Sequence, residues 1–183
     1  MTAAMSAVFK KLNLKDQTEI VVLSAPASFE PEIAALREVT VRRSLGGVRA
    51  VTFALAFVMR QPEVDELAQS LTRRAVGDAV VWFAYPKQSS KNYRSEIDRD
   101  HGWTVLGRAG FEPVRMVAID ADWSAVRFRR VENIKTMTRP ASFALSAGGK
   151  AKSAASARAK APERKAAAKR KRPTAKRPRT ARP

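Results

Sequence analysis

The sequence contains no cysteine, which excludes both a disulfide framework and a thiolate metal site. Its single histidine, His101, could join a three-ligand zinc site only if two carboxylates converged on the same ion. Long apolar runs are also missing: no segment approaches the roughly 20 residues that cross a bilayer, and the first residues lack the apolar core of a signal peptide. We therefore expect a soluble, cytoplasmic protein that folds on its hydrophobic core alone.

Several catalytic and cofactor-binding motifs are absent as well. Neither G-x-G-x-x-G nor G-x-x-x-x-G-K-[ST] occurs, and the turn after the first predicted strand is "SAPASF". Ser24 and Ser124 have no neighbouring base in the sequence pattern. His101 lies in "DRDHGW", where Arg99 favours ion pairing of the flanking acids. The sequence thus predicts no catalytic residue, no metal ligand and no cofactor, and it favours a protein that is not an enzyme.

The positive charge is concentrated at the C-terminal end of the chain. The 183 residues have a net charge of +18. From Lys150 onward there are 14 Lys or Arg residues and one acid, Glu163, so this stretch carries +13 and the preceding 149 residues carry +5. From residue 147 the sequence is Lys, Arg, Ala, Pro and Ser with little to bury, which is typical of disorder. We therefore predict an α/β domain over residues 1–146 and a disordered basic tail over residues 147–183.

Apolar runs in the first part alternate with amphipathic segments. "EIVVLS", "VTVRR", "VTFALAFVM" and "AVVWFAY" are predicted strands, and the second of them suits a sheet edge because its outward residues are charged. Pro62–Val76 is the clearest helix, ended by Gly77, and shorter helices are predicted within 28–39 and 97–109. "PVRMVAID" and "WSAVRFRRV" predict a closing hairpin. The fold class is α/β: one mostly parallel, Rossmann-like sheet with helices on both faces, a C-terminal β-hairpin and the basic tail.

This fold predicts a ligand edge where the parallel strands end. Right-handed crossovers make the strands run the same way, and open α/β sheets bind ligands at their carboxyl ends. Hydroxyls, lysines and aromatics follow these strands, so an anionic small ligand or nucleotide is one candidate. The alternative is an ordinary solvated loop around a core contact. The residues predicted at this edge are Ser24, Pro26, Tyr85, Lys87, Ser89, Ser90, Lys91, Asp122 and Trp123.

Two resemblances accompany these patterns. The element order, with "AGFEPV" and a closing hairpin, is similar to the second half of class I methyltransferases, but the glycine-rich first turn is missing. "KLNLKDQTEIVVLSAPASFE", "VVWFAYPK" and "VAIDADWSAVRFRRVENIKTMTR" resemble an uncharacterised bacterial family of small α/β proteins. That resemblance implies a bacterial cytosolic protein and supplies no activity. The tail, "KSAASARAKAPERKAAAKRKRPTAKRPRTARP", resembles linker-histone tails and the basic tails of nucleoid proteins.

The tail gives the main functional hypothesis of the sequence. Closely spaced cations on an extended chain displace counterions from a polyphosphate and bind it without base readout. We therefore expect a non-enzymatic, nucleoid-associated protein that binds DNA or RNA. A solubilising tail and attraction to anionic membrane are the alternatives for the tail, and a ligand-binding α/β protein or relic enzyme is the alternative for the whole chain. The residues predicted to contact phosphates are Lys160, Arg164, Lys165, Lys169, Arg170, Lys171, Arg172, Lys176, Arg177 and Arg179.

Overall fold

The structure is a computed structural model that describes the backbone of residues 6–170 and the side chains of residues 6–159. Its strands are β1 (Glu19–Leu23), β2 (Thr40–Arg42), β3 (Val51–Phe57), β4 (Ala75–Pro86), β5 (Phe111–Ala118) and β6 (Trp123–Arg130). Its α-helices are α1 (Ala7–Lys11), α2 (Glu30–Ala34), α3 (Gln61–Arg74), α4 (Thr104–Arg108) and α5 (Ala147–Arg170). Short 3-10 turns cover Ala27–Phe29, Val131–Asn133 and Ala141–Phe143.

The six strands form one sheet in the order β2-β1-β3-β4-β6-β5. The first four strands pair in parallel, and β6 lies antiparallel between β4 and β5. The predicted mostly parallel sheet with a C-terminal hairpin is therefore confirmed, as is the short charged strand β2 at an edge. The chain moves outward from β1 to β2 and then returns to β3, which makes the β1–β3 junction the point where the strand order reverses.

Both faces of the sheet are buried along β3 and most of β4 because helices cover both of them. Along β4, Phe83 and Tyr85 pack on one face against the α3 and α4 side, whereas Trp82 and Ala84 pack on the other face against α1. This alternation follows from the two-residue period of a strand. The indole N–H of Trp82 donates to the carbonyl oxygen of Leu12 at 2.7 Å, which fixes the end of α1 on its face.

Two local predictions differ from the structure. Gly77 does not end α3; the helix stops at Arg74, and β4 passes through Gly77, whose φ of 55° glycine adopts without strain. The helix predicted within 97–109 is limited to α4. The residues before it form a turn instead, because the Asp98 carboxylate accepts hydrogen bonds from the backbone N–H groups of Asp100 and His101.

The stretch predicted to be disordered from residue 147 begins with helix α5, so the structure differs from the sequence prediction here. Its first turns are anchored on the body. The buried Glu112 carboxylate accepts hydrogen bonds from the Ser146 N–H and hydroxyl at 2.6 Å each, and Lys152 Nζ donates to the carbonyl oxygens of Val131 and Ile134. Residues 171–183 lie outside the described residues, and the division into two domains stays a prediction.

No helix within residues 6–170 has both the length and the apolar character that crossing a bilayer requires.

Candidate ligand-binding site

The junction of β1 and β3 is filled by aromatic side chains at the carboxyl edge of the sheet. The rings of Phe29 and Phe57 have centroids 5.0 Å apart, and Phe57 stacks edge-on against Trp123 at 5.0 Å. The Tyr93 ring also lies 5.0 Å from Trp123, measured between ring centroids. Phe29, Phe57 and Trp123 are all buried. The strand-reversal crevice, where an open α/β sheet usually binds its ligand, is therefore packed as core.

A cavity of about 450 Å³ opens instead at the carboxyl end of β4, on the opposite face of the sheet. It lies between the end of β4, the hairpin strands and the loop before α4. Register pairs Tyr85 with Ser124 across β4 and β6, and both residues line the cavity. The complete lining is Tyr85, Lys87, Gln88, Ser89, Asp98, Arg99, Asp100, Met116 and Ser124. A second cavity of about 250 Å³ shares Lys87, Gln88 and Asp98 with the first.

Tyr85 gives this cavity a hydrogen-bond donor. The phenol packs its ring against Trp103, with centroids 5.8 Å apart, and its hydroxyl donates to Met116 Sδ at 3.4 Å. A thioether is a weak acceptor, so an oxygen atom of a ligand would replace it favourably. Burial raises the pKa of Tyr85, and the negative charge of Asp98 raises it further. The phenol therefore stays protonated at neutral pH and keeps its donor.

Four charged side chains line the cavity, two of each sign. Lys87 Nζ donates one hydrogen bond, to the carbonyl oxygen of Asp120, and has further N–H donors free to bind. The guanidinium of Arg99 lies 3.7 Å from Asp100, and both are exposed, so this ion pair is weak. The Asp98 carboxylate is held by hydrogen bonds instead of an arginine. Burial alone would raise the pKa of this carboxyl, but hydrogen bonds from the His101 side chain and nearby backbone N–H groups lower it.

The predicted loop residues Ser90 and Asp122 hold the loop in place. The Ser90 hydroxyl donates to Asp122 Oδ1 at 2.7 Å, and Asn92 Nδ2 donates to Asp122 Oδ2 at 2.9 Å. The Lys87 N–H donates to the Asp122 carbonyl oxygen at 2.7 Å. The hydrogen bonds from Asn92 and Ser90 lower the pKa of Asp122. These bonds join the loop after β4 to the turn between β5 and β6, which sets the position of Lys87 beside the cavity.

The structure divides the predicted ligand edge between the two faces of the sheet. Tyr85, Lys87 and Ser89 line the cavity. Trp123 packs into the aromatic cluster on the other face, and Ser24 and Pro26 follow β1 at the closed junction. Ser90 and Asp122 support the loop, and Lys91 is exposed on it without lining the cavity.

Sequence reasoning missed Gln88, Asp98, Arg99, Asp100, Met116 and Ser124 as lining residues. Ser124 had a usable signal, because the two-residue period of β6 places it on the face opposite Trp123. Met116 follows from the same argument in β5. Asp98, Arg99 and Asp100 lie in a loop without periodicity, and only the tertiary fold brings them to β4.

His101 is oriented by Asp98 but does not line the cavity. Its Nδ1 lies 2.8 Å from Asp98 Oδ2, and this hydrogen bond raises the pKa of the imidazole. The ring is otherwise exposed. In the part of the chain whose side chains are described, no three His, Cys, Asp or Glu residues lie close enough to hold a metal ion.

The residues predicted to bind nucleic acid lie beyond residue 159, where the described side chains end. Lys160, Arg164, Lys165, Lys169 and Arg170 fall in the part of α5 described by backbone alone. The others lie outside the described residues: Lys171, Arg172, Lys176, Arg177 and Arg179.

No protein-family model and no curated sequence matches the chain, whereas solved structures match its fold. A SAM dependent methyltransferase from Aquifex aeolicus is 14% identical, covering 67% of this chain and 87% of its own, with a TM-score of 0.47. A ribosomal protein L11 methylase from Lactobacillus delbrueckii subsp. bulgaricus is 8% identical, and the match covers 67% of this chain and 76% of the methylase, with a TM-score of 0.43. LepI in complex with SAM is 12% identical, and the match covers 67% of this chain and 38% of LepI, with a TM-score of 0.39.

These matches correct three predictions. The resemblance to an uncharacterised bacterial family with a histone-like tail is corrected: no family model matches the chain, and the matching solved structures include a SAM dependent methyltransferase and a ribosomal protein L11 methylase. The main function predicted, a non-enzymatic protein that associates with DNA or RNA through its tail, is corrected by the same matches, which are to enzymes. DNA or RNA as partner of the tail is likewise corrected, since matching structures are complexes with SAM or SAH.

The residues at the strand-reversal crevice do not fit an adenosyl cofactor. The turn after β1 has no glycine and enters the 3-10 turn Ala27–Phe29 directly, with the Phe29 N–H donating to the Pro26 carbonyl oxygen. Ala25 packs on the aromatic cluster, and the buried Phe29 and Phe57 rings occupy the space beside it.

Proposed function

We propose that this chain is a small-molecule-binding α/β protein whose ligand carries an anionic group and binds at the carboxyl end of β4. The observation that carries this proposal is the cavity of about 450 Å³ lined by Tyr85, Lys87 and Arg99. Pockets for small ligands typically measure about 300–1,000 Å³ and combine apolar walls with a few convergent polar groups.

The lining supplies a recognition chemistry for such a ligand. Lys87 offers a point charge for a phosphate or carboxylate, and Arg99 offers a fork that binds either group through two hydrogen bonds. The protonated phenol of Tyr85 donates to an oxygen acceptor, while its ring and Met116 provide apolar contact. Ser89 and Ser124 add hydroxyls at the cavity wall. A small molecule or nucleotide with one acidic group and one neutral acceptor satisfies all of these groups.

The proposal covers binding and assigns no reaction. Ser124 lines the cavity, but no hydrogen bond joins its hydroxyl to a base among the described side chains, so an activated nucleophile is not formed. His101, which Asp98 orients, does not line the cavity. These features suit a ligand-binding protein or an enzyme that has lost its activity.

The test is a thermal-shift screen with defined probes. The probes are AMP, glucose 6-phosphate, citrate, SAM and SAH, and one probe should raise the melting temperature by mass action. Lys87→Gln should lose most of this increment because it removes the ammonium group at the cavity. Lys91→Gln is the matched control, since Lys91 lies on the same loop, is exposed and does not line the cavity.

Equal loss of the increment in both lysine variants would indicate general charge screening and would contradict the proposal. A screen in which no probe shifts the parent protein would contradict it as well.

A further inference from the structure

A pair of arginines faces one another across the hairpin, on the face of the sheet opposite the β4 cavity. The pairing of β5 with β6 shifts between Pro113 and Arg115, so that Val114 is an extra residue in β5. This bulge sets Arg115 directly opposite Arg127. Directly opposed residues of an antiparallel pair share a face, with Cβ atoms about 4.5–5.5 Å apart, and like charges there repel one another.

The Arg127 guanidinium has no partner in the described part of the chain. It is half-buried, and its Nε atom is buried without a hydrogen-bond acceptor. Neither Arg127 nor Arg115 forms a hydrogen bond or an ion pair with another described side chain. A guanidinium carries five N–H donors, and a buried donor that has no acceptor is costly.

Asp78, whose negative charge favours the charged form of Arg127, already pairs with a third arginine. Arg129 Nε and Nη2 each donate to the Asp78 carboxylate at 2.5 Å, a two-point ion pair. Burial lowers the pKa of Arg127; Asp78 opposes this effect, whereas Arg129 and Arg115 add to it. The Asp78 carboxylate is therefore committed to Arg129, and no described acid pairs with Arg127 or Arg115.

We propose that Arg115 and Arg127 form a binding site for an oxyanion, namely a phosphate or carboxylate group held between the two guanidiniums. Such a group accepts two hydrogen bonds from one guanidinium and reaches the second with its remaining oxygen. It would satisfy the buried Nε of Arg127 and neutralise the repulsion between the arginines. The site is separate from the β4 cavity, because Arg115 and Arg127 share a face with Trp82 and Val117, whereas Met116 lines the cavity on the other face.

The first measurement follows the Arg127 Nε–Hε resonance by NMR, assigned by its loss in Arg127→Gln. Inorganic phosphate represents a free ion, and phenyl phosphate represents a phosphoryl group on a larger molecule. Sodium chloride at matched ionic strength is the control for screening. At least one phosphate probe should shift the resonance saturably, and the Lys87→Gln protein should show the same shift. Failure of both probes to shift it, or loss of the shift in Lys87→Gln, would overturn the proposal.

The second measurement is thermal unfolding of Arg115→Gln. Without phosphate this variant should melt about 1–4 °C higher than the parent, because it removes the opposed charge. Phosphate at ten times its Kd should raise the melting temperature of the parent by about 3–6 °C and that of Arg115→Gln by far less. Arg49→Gln is the control, since Arg49 is an exposed arginine away from the hairpin. A lower melting temperature for Arg115→Gln, or an undiminished phosphate increment, would contradict the site.

Discussion

Replacing Glu112 with glutamine tests how the C-terminal helix is held on the body. The Glu112 side chain is 1% exposed and accepts three hydrogen bonds, from the Leu145 N–H at 3.1 Å and from the Ser146 N–H and hydroxyl at 2.6 Å each. The Ser146 hydroxyl in turn accepts from the Gly149 N–H at 2.9 Å. Glu112→Gln keeps one acceptor oxygen and replaces the other with an amide N–H₂ that faces a backbone donor.

The expected cost follows from the bonds that are lost. A hydrogen bond to a charged group contributes about 1.5–3 kcal/mol, and a buried donor left unpaired costs about 1–3 kcal/mol. In Glu112→Gln the Leu145 N–H loses its acceptor, and this N–H then lies against the new amide N–H₂, which is also a donor. Together these two effects should weaken the docking of α5 by about 2–4 kcal/mol. Since about 1.4 kcal/mol is a factor of ten, amide exchange in the first turns of α5 should accelerate about 30- to 700-fold.

Hydrogen exchange of the Gly149 and Lys150 amides measures this change, with Leu55 in the centre of β3 as an internal reference. Glu66→Gln is the matched control variant, because Glu66 is an exposed acid on α3. Unchanged protection of Gly149 and Lys150 in Glu112→Gln would refute the reasoning. So would equal acceleration in the control.

Three further predictions concern stability. A chain ending at residue 159 should unfold like the full chain, whereas one ending at 146 should melt lower because it loses Lys152 and Gly149; equal melting of both truncations would restore the predicted boundary. The raised pKa of Tyr85 contributes stability that is present below pH ~10 and lost as the pH rises through the folded-state pKa. Tyr85→Phe should therefore flatten the alkaline decline in melting temperature, and an unchanged profile would refute this cause. The lowered pKa of Asp122 contributes stability above pH ~4 that is lost as the pH falls through its folded-state pKa. Asp122→Asn should therefore weaken the fall in melting temperature between about pH 5 and pH 2. An unchanged fall would count against the loop network.

The sheet could be predicted from the sequence because its signals are local. Apolar runs such as β3 and the Asp120–Asp122 turn identify strands and the hairpin without knowledge of distant contacts. The ligand edge was predicted only in part, for a reason visible in β4 and β6. The prediction places all strand ends at one edge, although the two-residue period sends Tyr85 and Trp123 to opposite faces.

Other features depend on contacts between distant residues and left no local pattern. The docking of α5 requires Glu112, more than 30 positions earlier, to meet Ser146. The loop that brings Asp98 and Arg99 to the cavity is positioned by single hydrogen bonds, such as the Glu96 N–H to the Met59 carbonyl oxygen at 2.9 Å. Local pattern therefore predicted a helix within 97–109, and composition predicted a disordered tail from residue 147.

The most direct test of the account is a chemical-shift map of the parent protein with the probe that most raises its melting temperature. Binding in the β4 cavity should shift the resonances of Tyr85, Lys87, Ser89 and Arg99 and leave those of the aromatic cluster around Phe29 unchanged. Shifts centred on Phe29 and the turn after β1, with the β4 cavity unaffected, would contradict it.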